Sequence, residues 1–256
     1  MTVYDTAAKL PPIDVVRDRS RALAMLDTII GGVYYDYSPR RGESVVASMR
    51  TGSGEEYDIV FTADGAFIRG VYHDSPMHNY IGGQLWPGLL EGLPQHFAPL
   101  VHEPTFCHED GTLDATFVLW RRSADDRWHA GDGIDLSPAD DEETDPDGAW
   151  LLDILCDGAA EEYLEYAWSV YDLKLDKTVV EQILTLQPLT DEIVRALNPQ
   201  KRLADLRERA AELTYPIANV GSGSPKTKRE APEDITEPQL SLRQRQDSSP
   251  DGSRKD

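Results

Sequence analysis

Between residues 14 and 30 (DVVRDRSRALAMLDTII) apolar side chains return every three or four positions. Val15, Val16, Ala22, Leu23, Leu26, Ile29 and Ile30 share one stripe with Arg19 as its polar member, which predicts an amphipathic helix. Asp14 is placed to cap its start and Gly31-Gly32 to end it. The period then changes to two. Segments 33–37, 43–50, 57–62 and 66–72 read as strands, with a Gly-rich turn at 51–54. Ala63-Asp64-Gly65 sits between two runs of β-branched and aromatic residues, a strong hairpin signal. These strands predict an antiparallel meander.

Residues 73–83 (HDSPMHNYIGG) are a loop by composition, and 86–96 predict a short helix or turn bent at Pro94. Residues 114–122 (DATFVLWRR) predict a further strand, with 128–132 pairing back on it. Segment 135–148 (DLSPADDEETDPDG) is dense in carboxylates, has no basic residue, and predicts a solvated loop. Beyond it the period is helical over 149–156, 159–173, 177–186, 191–197 and 201–213, and each break carries a turn former or helix stop. In the second of these Ala159, Tyr163, Tyr166, Ala167 and Val170 form the apolar stripe, opposite Glu161, Glu162 and Glu165. Strands followed by helices predict an α+β domain over 1–216, with helices packed on one face of the meander and a helical C-terminal half. Residues 217–256, rich in Ser, Pro, Gly, Gln and charge without apolar periodicity, predict a disordered tail.

Charge sharpens this picture. The formal net charge of the 256-residue chain is -21, yet 217–256 holds seven basic and seven acidic residues, so the imbalance lies wholly within 1–216. Such a surface repels nucleic-acid phosphates and anionic lipid and attracts basic proteins; the competing reading is that it only keeps the domain in solution. No run of 18 apolar residues exists and the N-terminus lacks an export pattern, which predicts a cytoplasmic protein without a membrane span. Cys107 and Cys156 read as two reduced thiols.

Candidate chemistry is sparse. Five of six histidines fall within 73–108, but His102-Glu103 lacks the HExxH spacing, since position 106 is Phe and Pro104 breaks the helix. His73-Asp74-Ser75 are neighbours and cannot converge as a triad, and no GxSxG elbow is present. Glu143, Asp145, Asp147 and Gly148 match the start of a calcium loop whose twelfth position is Ile154, not the required Glu. No CxxC pair and no GxGxxG occur, and the five tryptophans lie in apolar runs. No catalytic residue, metal ligand or cofactor is therefore assigned.

Segments FTADGAFIRGVYHDSPMHNY (61–80), WPGLLEGLP (86–94), FVLWRR (117–122) with DDRW (125–128), DGAWLLDIL (147–155) and YLEYAWSVYD (163–172) resemble uncharacterised bacterial proteins discussed alongside immunity proteins of polymorphic toxin systems. The likeness covers 57–215 and implies an intracellular protein that masks a toxin by direct contact; it transfers no functional residue. The expected function is thus a non-enzymatic binding domain, of immunity type, for a basic protein such as a toxic nuclease. Its expected contact residues are Asp140, Asp141, Glu142, Glu143, Asp145 and Asp147, with Glu161, Glu162 and Glu165 beside them. Two alternatives stand. One is a hydrolase drawing on His73, Asp74, His78, His102 and Glu103 within 73–110; the other is an adaptor or scaffold whose tail carries the interaction.

Overall fold

The computed structural model describes residues 2–39, 44–79, 83–136 and 145–218. Six strands form one antiparallel sheet in sequence order: β1 (Tyr35–Pro39), β2 (Val45–Arg50), β3 (Glu56–Phe61), β4 (Gly65–Val71), β5 (Phe117–Arg122) and β6 (His129–Ala130). The β3–β4 hairpin forms at the Asp-Gly signal, closed by Thr62 N–H donating to Gly65 O at 2.8 Å. Gly65 is required there. Its φ is +150°, and a Cβ would stand 2.1 Å from Arg121 O on β5.

The pleat sends Tyr37, Ala47, Met49, Tyr57, Ile59, Phe61, Ala66, Ile68, Phe117 and Leu119 to one face, where the helices cover them. The opposite face is also buried. Val60, Phe67, Val118 and Trp120 pack there against Phe97, Val101, Phe106 and Leu113. The cover comes from the segment between β4 and β5, through a 3₁₀ turn Gln95–Phe97, α3 (Ala98–Val101) and a second 3₁₀ turn Pro104–Phe106. Burial on both faces leaves β3 and β4 buried at nearly every position, Asp58 and Arg69 included.

Beside that apolar cover the same face carries buried charge. Arg69 (1% exposed) lies opposite Asp58 (2% exposed) in the β3–β4 register, and its Nη2 donates to Asp58 Oδ2 at 2.7 Å and to Glu56. Nη1 donates to Asp114 O at 3.1 Å, and the guanidinium stacks 5.1 Å from the Phe106 ring centroid. Arg50 closes the network, donating to both Asp58 oxygens at 3.0 Å.

α2 (Ile13–Ile30) runs through the core. From Ala22 to Asp27 it is buried on every side, because the sheet covers one flank and α5 (Lys177–Leu184), α6 (Asp191–Leu197) and α7 (Leu203–Glu212) cover the other. Pro12 precedes its first residue and Asp14 sits inside the first turn, so Asp14 favours the helix dipole rather than capping the helix. Gly31 ends it at φ +89°. The last carbonyls of α2 are taken by distant side chains: Asn198 Nδ2 donates to Ile29 O at 2.9 Å and Lys201 Nζ to Thr28 O. In α5 and α6 the N-caps follow the sequence signals, Asp176 accepting from Thr178 N–H and Thr190 from Ile193 N–H.

The α+β class, the antiparallel meander, the helices against it and the helical C-terminal half are as expected. Several details differ. A short helix α1 (Val3–Lys9) begins the domain, its start held by the Thr2 N–H and hydroxyl, which both donate to Asp5 Oδ2, and it is too brief to show a stripe. Residues 149–155 form a 3₁₀ helix (Ala149–Leu155), buried at five of seven positions, so packing rather than a solvent-facing period sets the backbone. α4 (Ala159–Tyr171) stops early, at Asp172 with φ 55°. The folded part extends to Ala218, since Leu189 N–H bonds Pro216 O and Ala218 N–H bonds Leu189 O. The remainder of the tail expected over 217–256, residues 219–256, lies outside the described residues.

Candidate functional site

On α4, Glu162, Glu165, Tyr166, Ser169 and Val170 fall at i, i+3, i+4, i+7 and i+8, so one helix face presents all five. The adjoining face, with Ala159, Ala160, Tyr163 and Ala167, anchors the helix in the core. Opposite the first face stands the 3₁₀ helix, contributing Trp150, Asp153 and Ile154. Tyr35 and Met49 of the sheet edge supply the floor. Together they enclose a groove of about 360 Å³. Trp150 is 39% exposed and Val170 43% exposed, so the groove carries two of the exposed large apolar side chains among the described residues.

The walls are held firmly. The Trp150 ring meets Tyr72 edge-on at 6.2 Å, and the Tyr166 ring meets Tyr35 at 5.3 Å and Tyr171 at 5.7 Å. Tyr166 and Tyr171 share a 3.2 Å hydroxyl contact. Behind them Asp27, at the end of α2, accepts the Tyr34 and Tyr35 N–H groups on one oxygen at 2.7 and 2.9 Å. Burial pushes the Asp27 carboxyl above its ordinary range, against those two bonds. Burial likewise raises Asp153 at the groove rim.

The acidic residues singled out from sequence separate into five situations. Asp140, Asp141, Glu142 and Glu143 lie outside the described residues. Asp145 is half-buried, and Asp147 is fully buried. Asp147 Oδ2 accepts Val3 N–H at 2.7 Å and Oδ1 accepts Ala149 N–H at 2.8 Å, so this carboxylate fastens α1 to the 3₁₀ helix and offers nothing to a partner. Glu161 is exposed but engaged by Lys177 at 2.5 Å, away from the groove. Glu162 and Glu165 line the groove, joined by Asp153. Sequence reasoning missed Trp150, Asp153 and Ile154, because 149–156 read as an ordinary amphipathic helix. It also placed Val170 on the apolar stripe of α4 with Ala159, Tyr163 and Ala167, whereas Val170 is exposed and faces the groove.

The histidine-rich segment divides into pairs. His73 contacts Glu55 at 3.3 Å and Asp74 at 3.1 Å, while His78 and His108 meet at Asp114 Oδ1, at 3.2 and 3.6 Å. His102 is exposed at the end of α3. Among the described residues no group of three or more His, Cys, Asp or Glu is arranged to hold a metal ion, and no helix is long and apolar enough to cross a membrane. Both thiols are free; burial pushes Cys156 up to about 11 and also raises Cys107.

No family model, curated protein or solved structure matches this chain.

Proposed function

We propose that the domain is a non-enzymatic binding module that docks a basic protein, in the manner of an immunity protein neutralising a cationic toxin domain. One observation carries the reading: a rigid apolar groove with exposed Trp150 and Val170, rimmed by Asp153, Glu162 and Glu165, with no lysine or arginine among the residues that line it. An apolar centre inside a charged rim is the anatomy of a protein interface, and the overall charge of -21 steers cationic partners toward it. The aromatic centre supplies affinity and the carboxylates supply rate and selectivity.

The test is capture on the immobilised full chain from its native cell at low and high salt, followed by titration of the recovered protein. The expected partner is basic, binds at least tenfold more weakly when salt rises from about 50 to 500 mM, and loses its own toxic activity when bound. Retention unchanged across the salt series, or undiminished when Glu162 and Glu165 are both replaced by Gln, overturns the proposal.

A further inference from the structure

The groove is small. At about 360 Å³ it stands near the lower end of binding cavities, with room for one or two side chains rather than an inserted helix or strand. Three chemical features line it: aromatic faces from Trp150 and Tyr166, an aliphatic wall from Ile154 and Val170, and carboxylates from Glu162 and Glu165 at the mouth. Glu161, one position away, is bound to Lys177, whereas Glu162 and Glu165 make no ion pair among the described residues. Both line the same groove as the aromatic walls, and Glu162 also borders the adjoining depression that Lys9 lines.

Resting on the reading above, we propose that the groove is a socket for a single arginine side chain of the cationic partner. The arginine stem covers Ile154 and Val170, its guanidinium plane lies against an aromatic wall, and its donors reach Glu162 and Glu165. Each part of the socket matches a distinct part of that side chain. Three methylenes bury against aliphatic surface, a delocalised, weakly hydrated cation stacks on an indole or phenol face, and a planar fork of donors meets carboxylates. Lysine satisfies the first and part of the last. Its compact, strongly hydrated ammonium gains less from stacking and cannot fork. Because Trp150 is braced on Tyr72 and Tyr166 on Tyr35 and Tyr171, the walls need no reordering when the arginine enters.

The experiment uses the full chain, with the Trp150 indole N–H resonance assigned by comparison with Trp150→Phe. It is titrated with four capped pentapeptides of sequence Gly-Ala-Xaa-Ala-Gly in which the central residue is arginine, lysine, citrulline or norleucine. Citrulline keeps the shape of arginine and removes its charge. The arginine peptide is expected to bind about threefold to tenfold more tightly than the lysine peptide and at least tenfold more tightly than the citrulline peptide. The Glu162→Gln/Glu165→Gln variant abolishes the preference for arginine over citrulline. Trp150→Ser, followed through the Ile154 methyl resonances, shrinks the preference for arginine over lysine. Val170→Ser serves in its place if circular dichroism shows that Trp150→Ser has not folded. Equal binding of arginine and lysine that is insensitive to Trp150→Ser overturns the socket while leaving a charge-driven partner in place. Absence of any perturbation at the groove also overturns it, and the salt-dependent capture then judges the partner reading separately. Citrulline or norleucine binding as well as arginine likewise overturns the socket, the partner reading again being judged by the salt-dependent capture.

Discussion

Removing Asp58 alone should damage this domain more than removing Asp58 and Arg69 together. The two side chains face each other across β3 and β4, 2% and 1% exposed, and are joined at 2.7 Å. Asp58→Ala leaves the Arg69 guanidinium in the sheet with only Glu56 and a backbone carbonyl to balance it. Losing one partner of a buried pair costs about 3–5 kcal/mol. Because Glu56 remains in contact, the lower figure applies, about 3 kcal/mol. For a domain of this size that is a fall in Tm of about 6–12 °C. The paired replacement Asp58→Leu/Arg69→Met removes both charges and fills the space between Val60, Phe67 and Phe106 with apolar volume, so its cost should be below about 1.5 kcal/mol. Urea unfolding followed by tryptophan fluorescence and by far-ultraviolet circular dichroism, read as a double-mutant cycle, measures both values. A cost below about 1 kcal/mol for Asp58→Ala, or a double variant as unstable as the sum of its singles, refutes the reasoning.

Three further outcomes follow from local geometry. Gly65→Ala, at φ +150° with its new Cβ 2.1 Å from Arg121 O, should lose at least about 2 kcal/mol. Gly52→Ala, at φ +79° in open space, should lose about 1 kcal/mol, and equal losses at the two sites would contradict the clash. Burial raises Asp27, Asp147 and Asp153, so the stability tied to their protonated forms is full below the unfolded carboxylate range and is lost as pH rises through the higher folded values. Tm should therefore fall as pH rises above the ordinary carboxylate range, and Asp27→Asn, which keeps one oxygen for the Tyr34 and Tyr35 N–H groups, should flatten that slope; an unchanged slope refutes the assignment. Cys156, buried and pushed up to about 11, should resist a thiol-specific disulfide reagent at neutral pH until urea unfolds the chain. Rapid labelling of the native protein at Cys156 refutes that.

The parts of the fold legible in the sequence are those whose signals are local. The strands appeared through period-two alternation and the Asp-Gly hairpin, and α4 to α7 through their helical stripes and punctuating turns. What escaped depends on partners far along the chain. The second cover of the sheet is built from Phe97, Val101, Phe106 and Leu113, which lie in two 3₁₀ turns, the one-turn helix α3 and a single bridge to Cys107, pieces too short to show a period. The carboxylates behave the same way. Glu162 and Asp147 are indistinguishable by composition, yet one rims a groove and the other is sealed between Val3 and Ala149. Density of acidic residues predicted a charged surface but not which oxygens are free to meet a partner. The groove itself needs α4, the 3₁₀ helix and the sheet edge at once, and no single stretch announces it.

The two side chains that close the end of α2 have a bearing on how the protein is made. Ile29 O waits for Asn198, 169 residues later, and the far flank of the helix waits for α5, α6 and α7. At ribosomal speeds of about 5–20 residues per second that interval is about ten to thirty seconds. Throughout it Leu23, Leu26 and Ile29 belong to a nascent chain whose sheet can form while its central helix is still half uncovered. Chaperone occupancy on stalled nascent chains should accordingly persist after β5 has emerged and drop only once Leu203–Glu212 clears the exit tunnel.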